Sequence, residues 1–349
     1  MKKRMLFIAS MPSAKFHFDG ERNKSGDVFS CLKQMNFEID VIDYTKNKYL
    51  QTIKLIWKAM FKKYDVIFIS KCVVGGTIAL HQILKLGKKS NRENIYFYLI
   101  GNGFEGFDDK KYYKDDLKKC QAVIVESLDV VKSLAEHGIV KTHIFPCVKK
   151  EYVLKPTQKD YSKDEPLKLI FFSRVIKDKG ILDAIEAVKI LNKDEIKFTL
   201  DIAGGYPEED PAHKIAEEEA KKFSFITYFG KTFHISGIES YKRLQQYDIH
   251  MFPSHFFQEC APGSILDMFI AGVPTLSSLF PNALNVMDAQ NSYFFEFNKF
   301  DDLVAKLDYI YAHKEELNAK RIESNKEAQK YFPATFIKFV EGLFNKENL

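Results

Sequence analysis

No apolar run in these 349 residues approaches the ~18–20 positions that a membrane-spanning helix needs, so no spanning segment is expected. No C-x-x-C pair is present. The five cysteines, Cys31, Cys72, Cys120, Cys147 and Cys260, are scattered, which argues against a zinc site or a disulfide framework and predicts reduced cytosolic thiols. No G-x-G-x-x-G follows the first apolar run, Met5–Ala9, which argues against a standard dinucleotide site. The basic start Met1-Lys2-Lys3-Arg4 leads into a run of only strand length, so no cleaved signal is expected. His17, His81, His213, His234, His255 and His313 lack metal-ligand spacing. Asp108-Asp109, Asp115-Asp116 and Asp301-Asp302 lie in polar stretches beside lysines or helix starts and read as solvated faces. No metal is expected.

What is present is an ordinary globular composition, 46% hydrophobic, in a chain too long for one core. Two domains follow. In the first half, apolar runs at Met5–Ala9, Glu38–Ile42, Asp65–Ser70, Ile95–Ile100, Ala122–Val125 and His143–Phe145 alternate with helix-periodic stretches, as in a parallel, doubly wound sheet. Lys155 to Pro166 is polar, without apolar periodicity, and reads as a linker. Runs at Leu167–Phe172, Phe198–Ala203, Ile226–Phe229, Asp248–Phe252, Thr275–Ser278, Leu284–Asp288 and Tyr293–Phe297 predict a second sheet of the same kind. The expected division is 1–155, 167–330 and a last helical stretch within 331–349.

Charge is unevenly spread. Residues 1–160 hold 29 Lys and Arg against 18 Asp and Glu, net +11, and the remainder holds 23 against 29, net −6. The first half is therefore expected to face something acidic: lipid surface, phosphate or polyanion. Within it, Lys46–Tyr64 reads as a basic amphipathic helix, with Leu50, Ile53, Ile56, Trp57, Met60 and Tyr64 at helical spacing among lysines. Two readings stay open: a helix packed on the sheet with snorkelling lysines, or a membrane-surface helix. No nucleic-acid partner is expected.

The chain centres on His250–Pro274, HMFPSHFFQECAPGSILDMFIAGVP. An apolar strand stops at Pro253-Ser254. A loop with Glu259 and the small residues Ala261-Pro262-Gly263-Ser264 then opens a helix that Gly272 and Pro274 close. Backbone N–H groups at such a helix start bind an anion such as a pyrophosphate. Glu259 and Asp267 lie eight positions apart. This segment resembles the E-x7-E motif of family-4 (group 1) glycosyltransferases, with Asp267 in place of the second glutamate. Ser173-Arg174, then Lys179-Gly180 before a helix, resembles that family's Gly-Arg-Leu…Lys-Gly element, with Ser173 for its glycine. Gly204-Gly205 resembles its glycine turn, and Gly230-Lys231 the loop that faces the nucleotide base. In the first half, Gly20 resembles the glycine-bearing acceptor loop, and Asn102-Gly103 stands where His-Gly is usual.

The resemblance implies the GT-B fold, two Rossmann-like domains facing across a cleft, with the last helix crossing back onto the first. It implies a hexosyltransferase-like enzyme that moves a sugar from a nucleoside-diphosphate sugar with retention of configuration and without a cofactor. Arg174 and Lys179 would hold the donor diphosphate, Glu259 the sugar hydroxyls and Asp267 the ribose. Gly263, Ser264, Gly204, Gly205 and Lys231 would line the donor site, and Gly20 and Asn102 the acceptor site. The expected acceptor is a glycan or lipid-linked molecule in cell-surface polysaccharide or glycoconjugate synthesis. The expected location is the cytoplasm, with an anionic inner membrane face as a further partner. The alternatives are a sugar-nucleotide epimerase of the same fold and a non-catalytic sugar-nucleotide-binding relative.

Overall fold

Strands buried on both faces of a parallel sheet read as near-continuous apolar runs, and this chain forms two such sheets. The computed structural model describes residues 2–12, 20–101, 113–233 and 237–345. The chain divides into a first unit, 1–150 with 331–349, and a second, 151–330.

The first sheet comprises β1 (Lys3–Ala9), β2 (Phe37–Asp43), β3 (Val66–Lys71), β4 (Ile95–Leu99), β5 (Ala122–Val125) and β6 (Thr142–Ile144), in the order β2-β1-β3-β4-β5-β6. All its pairs are parallel. The helix Pro333–Phe344 belongs to this unit although it follows the second in sequence. Its Phe336, Val340 and Leu343 complete the core around Met5, Phe7, Phe68 and Tyr96, and the Phe344 ring meets Tyr96 edge-on at 4.7 Å.

The second sheet comprises β7 (Leu167–Phe172), β8 (Phe198–Ala203), β9 (Ile226–Gly230), β10 (Ile249–Phe252), β11 (Thr275–Ser278) and β12 (Ser292–Phe295), in the order β12-β11-β10-β7-β8-β9. Every pair is parallel here too. Counted within the unit this is 3-2-1-4-5-6, the Rossmann order, and its topological switch lies between β7 and β10.

Three elements differ from the sequence reading. Leu284–Asp288 is not a strand. Ala283, Val286 and Met287 are buried while Leu284 and Asn285 are exposed, the spacing of a helical turn, and Ala283–Asn285 forms one. The apolar period after β3 predicts a helix over Ile78–Leu86, and the helix there runs Val73–Leu86. Gly75-Gly76 does not break it, because glycine there admits neighbours: a Cβ at Gly76 would lie 2.3 Å from the Phe97 ring. The helix expected over Lys46–Tyr64 runs Lys48–Phe61 and turns Gln51, Leu55 and Ala59 inward, leaving Leu50, Ile53, Trp57 and Met60 exposed.

Residues 151–166 carry no helix or strand but are bound to the second unit. Arg321, fully buried on the helix Leu317–Glu327, donates to Thr157 O (2.8 Å), Tyr247 O (2.7 Å) and Gln245 O (2.7 Å). Asn318 exchanges two hydrogen bonds with the Lys159 backbone. Arg321→Met would leave three carbonyls without their donor, and we expect a loss of about 3 kcal/mol in urea unfolding. Circular dichroism is the suitable probe, since the one tryptophan, Trp57, lies in the first unit.

His250 sits in β10 with no exposure and its Nδ1 3.1 Å from Thr275 Oγ1. Burial pushes its imidazole down to about 3. The unfolded chain therefore takes up the proton first as pH falls below about 6.5, and stability is lost from there downward. Between pH 6.5 and 5 this group costs about 2 kcal/mol. Over that interval His250→Gln should unfold with a flatter pH dependence; equal slopes would refute the assignment.

Candidate active site

Open parallel sheets bind ligands beyond the carboxyl ends of the strands flanking the switch point. In the second unit those ends are Phe172 and Phe252, and the loops that follow are stitched together. Asp178 O accepts from the His255 N–H (2.8 Å) and from Ser254 Oγ (3.3 Å). Gly180, at φ 75°, passes so close that a Cβ there would lie 1.8 Å from Pro253 O. Only glycine fits. The helix Ile181–Leu191 starts directly after it.

This approach brings Lys179 and Glu259 together. Each is only 7% exposed, and the Lys179 ammonium pairs with Glu259 Oε1. The ammonium also lies over the rings of Phe252 (5.6 Å) and Phe256 (5.4 Å). Ser254 Oγ lies 3.1 Å from the same carboxylate oxygen, and Asn282 Nδ2 donates to Glu259 O at 2.8 Å. The charge pair is thus fixed from β7, β10 and the turn after β11. His255 is anchored beside it, with Nε2 2.9 Å from Asp183 Oδ2 and Nδ1 2.6 Å from Asn298 Oδ1. The Asp183 hydrogen bond raises its pKa above the ordinary value.

The other residues singled out in sequence fall around this pair. Arg174 is exposed on the loop after β7 and makes no ion pair among the described residues. Gly204 abuts the same loop: a Cβ there would lie 1.7 Å from Ser173 O, and Val175 N–H donates to Gly205 O at 2.9 Å. Gly263 and Ser264 are the first residues of the helix Gly263–Ala271, which no side chain caps. Asp267, on its second turn, is buried and accepts from the Tyr241 hydroxyl at 2.8 Å. Lys231 follows β9 and is turned to Glu208 (3.3 Å) and the Tyr206 ring (3.8 Å). Among the described residues no three His, Cys, Asp or Glu side chains are gathered as metal ligands.

Sequence reasoning missed Ser254 and Asn282, which hold Glu259, and Tyr241, which holds Asp267. Ser254 carried a signal, as the first hydroxyl beyond a buried strand. Asn282 and Tyr241 carried none, because their partners are distant in sequence.

In the first unit, Gly20 opens the helix Gly20–Leu32, and Asn102 lies outside the described residues. Polar groups that sequence reasoning passed over stand at the carboxyl ends of this sheet. Lys71, at the end of β3, donates to Ser10 Oγ (2.6 Å) and pairs with Glu21 (3.1 Å). Burial alone would raise the Glu21 carboxyl, but Lys71 beside it holds it below its usual range. Glu126, directly after β5, is buried against Lys24 at 2.6 Å and accepts from Gly101 N–H. Burial raises its carboxyl in spite of Lys24. Their common signal was a charged residue at the carboxyl end of a parallel strand.

Residues 155–328 match the family described as glycosyl transferases, group 1. No curated protein matches the chain by sequence. Solved structures do resemble it. The Anabaena protein HepE, in complex with UDP and glucose, superposes with a TM-score of 0.70 at 13% identity, over 99% of this chain and 100% of that one. A glycosyltransferase from Rickettsia africae gives 0.74 at 15%, over all of both chains. The lipopolysaccharide outer core galactosyltransferase WaaB gives 0.70 at 14%, over 99% of each. At such identities these likenesses show the fold, GT-B, with its two α/β units. With that fold, and with the family match lying on the unit that carries Arg174, Lys179, Glu259 and Asp267, the chain is a glycosyltransferase of group 1.

Proposed function

We propose that the protein transfers a hexose from a nucleoside-diphosphate sugar to a glycan or lipid-linked acceptor, with retention, in the synthesis of a cell-surface polysaccharide or glycoconjugate. The second unit binds the donor, the first binds the acceptor, and the enzyme works at the cytoplasmic face of the membrane. The observation that carries this reading is the buried Lys179–Glu259 pair at the β7/β10 switch point. The bond from the anomeric carbon to the phosphate oxygen breaks, a bond to the acceptor oxygen forms, and the nucleoside diphosphate leaves with added negative charge. A lysine has three N–H donors, so Lys179 can hold Glu259 and also meet a phosphoryl oxygen. Arg174 and the start of the helix Gly263–Ala271 supply the remaining positive potential without a metal. Glu259 takes the sugar hydroxyls and Asp267 the ribose. UDP is the first nucleotide to try, because HepE was solved with UDP and with UDP-glucose. At a hundred times Kd it should add about 2.7 kcal/mol of apparent stability.

Arg174→Ala and Lys179→Ala should each lower kcat by about 10²–10³-fold, as leaving-group charge grows in the transition state. Glu259→Gln should remove most turnover yet leave UDP affinity nearly unchanged. Because Lys179 and Glu259 are in contact, the double variant should lose far less than the product of the single losses. Wild-type turnover in both cation variants would refute the diphosphate assignment.

Asp267→Asn should weaken UDP binding in calorimetry. Tyr241→Phe, which frees Asp267 Oδ1 from its hydroxyl partner, should weaken it by a smaller amount, about five-fold for one hydrogen bond. Unchanged affinity in Asp267→Asn would remove that residue from the nucleotide site.

A further inference from the structure

The helix Lys48–Phe61 has its apolar side chains outside. Tyr49, Leu50, Ile53, Trp57, Met60 and Phe61 are exposed, Ile53 by 64% and Trp57 by 52%, while Gln51, Leu55 and Ala59 face the unit. The inward face is narrow because small Ala59 packs close: its carbonyl accepts from the Lys88 N–H at 2.9 Å, and Gln51 Oε1 accepts from the Asp43 N–H at 3.3 Å. Residues 44–64 contain six lysines and no acid. Lys88 adds another cation beside Phe61, whose carbonyl it reaches at 3.1 Å.

Beneath the apolar row, a groove of about 510 Å³ opens between the helix and β2, lined by Lys46, Lys54, Lys58, Ile53 and Trp57. Asp43, the acid in this groove, is engaged by the Met11 N–H (3.1 Å) and by Thr45 (2.6 Å). Lys58 is balanced by Asp40 at 2.6 Å; no acid pairs with Lys46 or Lys54 among the described residues. A second copy of the chain would set lysines against lysines. An anionic lipid surface accommodates both features: aromatic and aliphatic side chains enter the headgroup boundary, and lysines meet the phosphates.

We propose that the outer face of the helix Lys48–Phe61 docks on an anionic lipid bilayer, with a lipid phosphate seated in the groove between Lys46, Lys54 and Lys58. This deepens the reading of an acceptor at the membrane, yet its test does not involve catalysis. Trp57 is the only tryptophan and so reports on its own surroundings. The full chain is mixed with phosphatidylglycerol-containing or pure phosphatidylcholine vesicles at low and high salt.

Trp57 emission should shift to the blue with anionic vesicles only, be quenched by lipids brominated in the acyl chain, and return at high salt. Lys46→Gln and Lys54→Gln should each weaken partitioning about five-fold, and Ile53→Ser with Phe61→Ser should abolish quenching. These side chains are exposed, and circular dichroism melting verifies that the fold persists. No shift with anionic vesicles would overturn the proposal, as would an equal, salt-insensitive shift with neutral ones. A shift that grows with protein concentration without lipid would also overturn it, in favour of self-association. UDP calorimetry on the same preparation tests the donor reading separately, so either proposal can fail alone.

Discussion

The second unit depends on one close approach, that of the Gly180 backbone to the carbonyl of Pro253. Adjacent parallel strands at a switch point send their chains to opposite faces of the sheet, and the loops after β7 and β10 would ordinarily diverge. Here a residue without a side chain lets them touch, and Asp178 O ties them through two hydrogen bonds. A buried ammonium and a buried carboxylate are each expensive alone. The same contact that forces them out of water also places them within reach of one another, so the cost of burial is offset where the charges are needed.

That pair is held by neutral groups. Ser254, Asn282 and the rings of Phe252 and Phe256 surround it, and none of them competes with it as a charge. A sugar nucleotide brings a diphosphate and several hydroxyls to one place. On the proposed reading, a cation and a carboxylate fixed side by side answer those two demands together. Tyr241 does for Asp267 what Ser254 does for Glu259, fixing one oxygen and leaving the carboxylate's orientation determined before any ligand arrives.

Much of this was legible in the chain. Buried parallel strands declare themselves as apolar runs, and twelve of the thirteen expected strands correspond to strands of the two sheets within a few residues. Arg174, Lys179, Glu259 and Asp267 stood out because their order and spacing, after strand ends and at a helix start, resemble the motifs of a known family. What failed had a physical cause. Gly75-Gly76 signals a break, but close packing against Phe97 and Lys71 uses those glycines inside a helix. The apolar period of the helix Lys48–Phe61 is real, yet period alone does not say which face turns inward, and here the smaller residues do. Lys71 and Glu126 escaped notice because a charged residue at a strand end is common, and only the fold shows that these two are buried.

The helix Pro333–Phe344 carries a consequence for how the chain is made. The residues that finish the first unit's core, Phe336, Val340 and Leu343, leave the ribosome after the whole of 151–330. At synthesis rates of roughly 5–20 residues per second, the first unit waits many seconds with Phe7, Phe68 and Tyr96 lacking their last cover. The second unit, contiguous in sequence, has every strand and its Arg321 clasp to hand by then. The order of completion is thereby reversed from the order of the gene: the later-encoded unit has all its core residues first, and the earlier one receives its last only when the helix Pro333–Phe344 emerges.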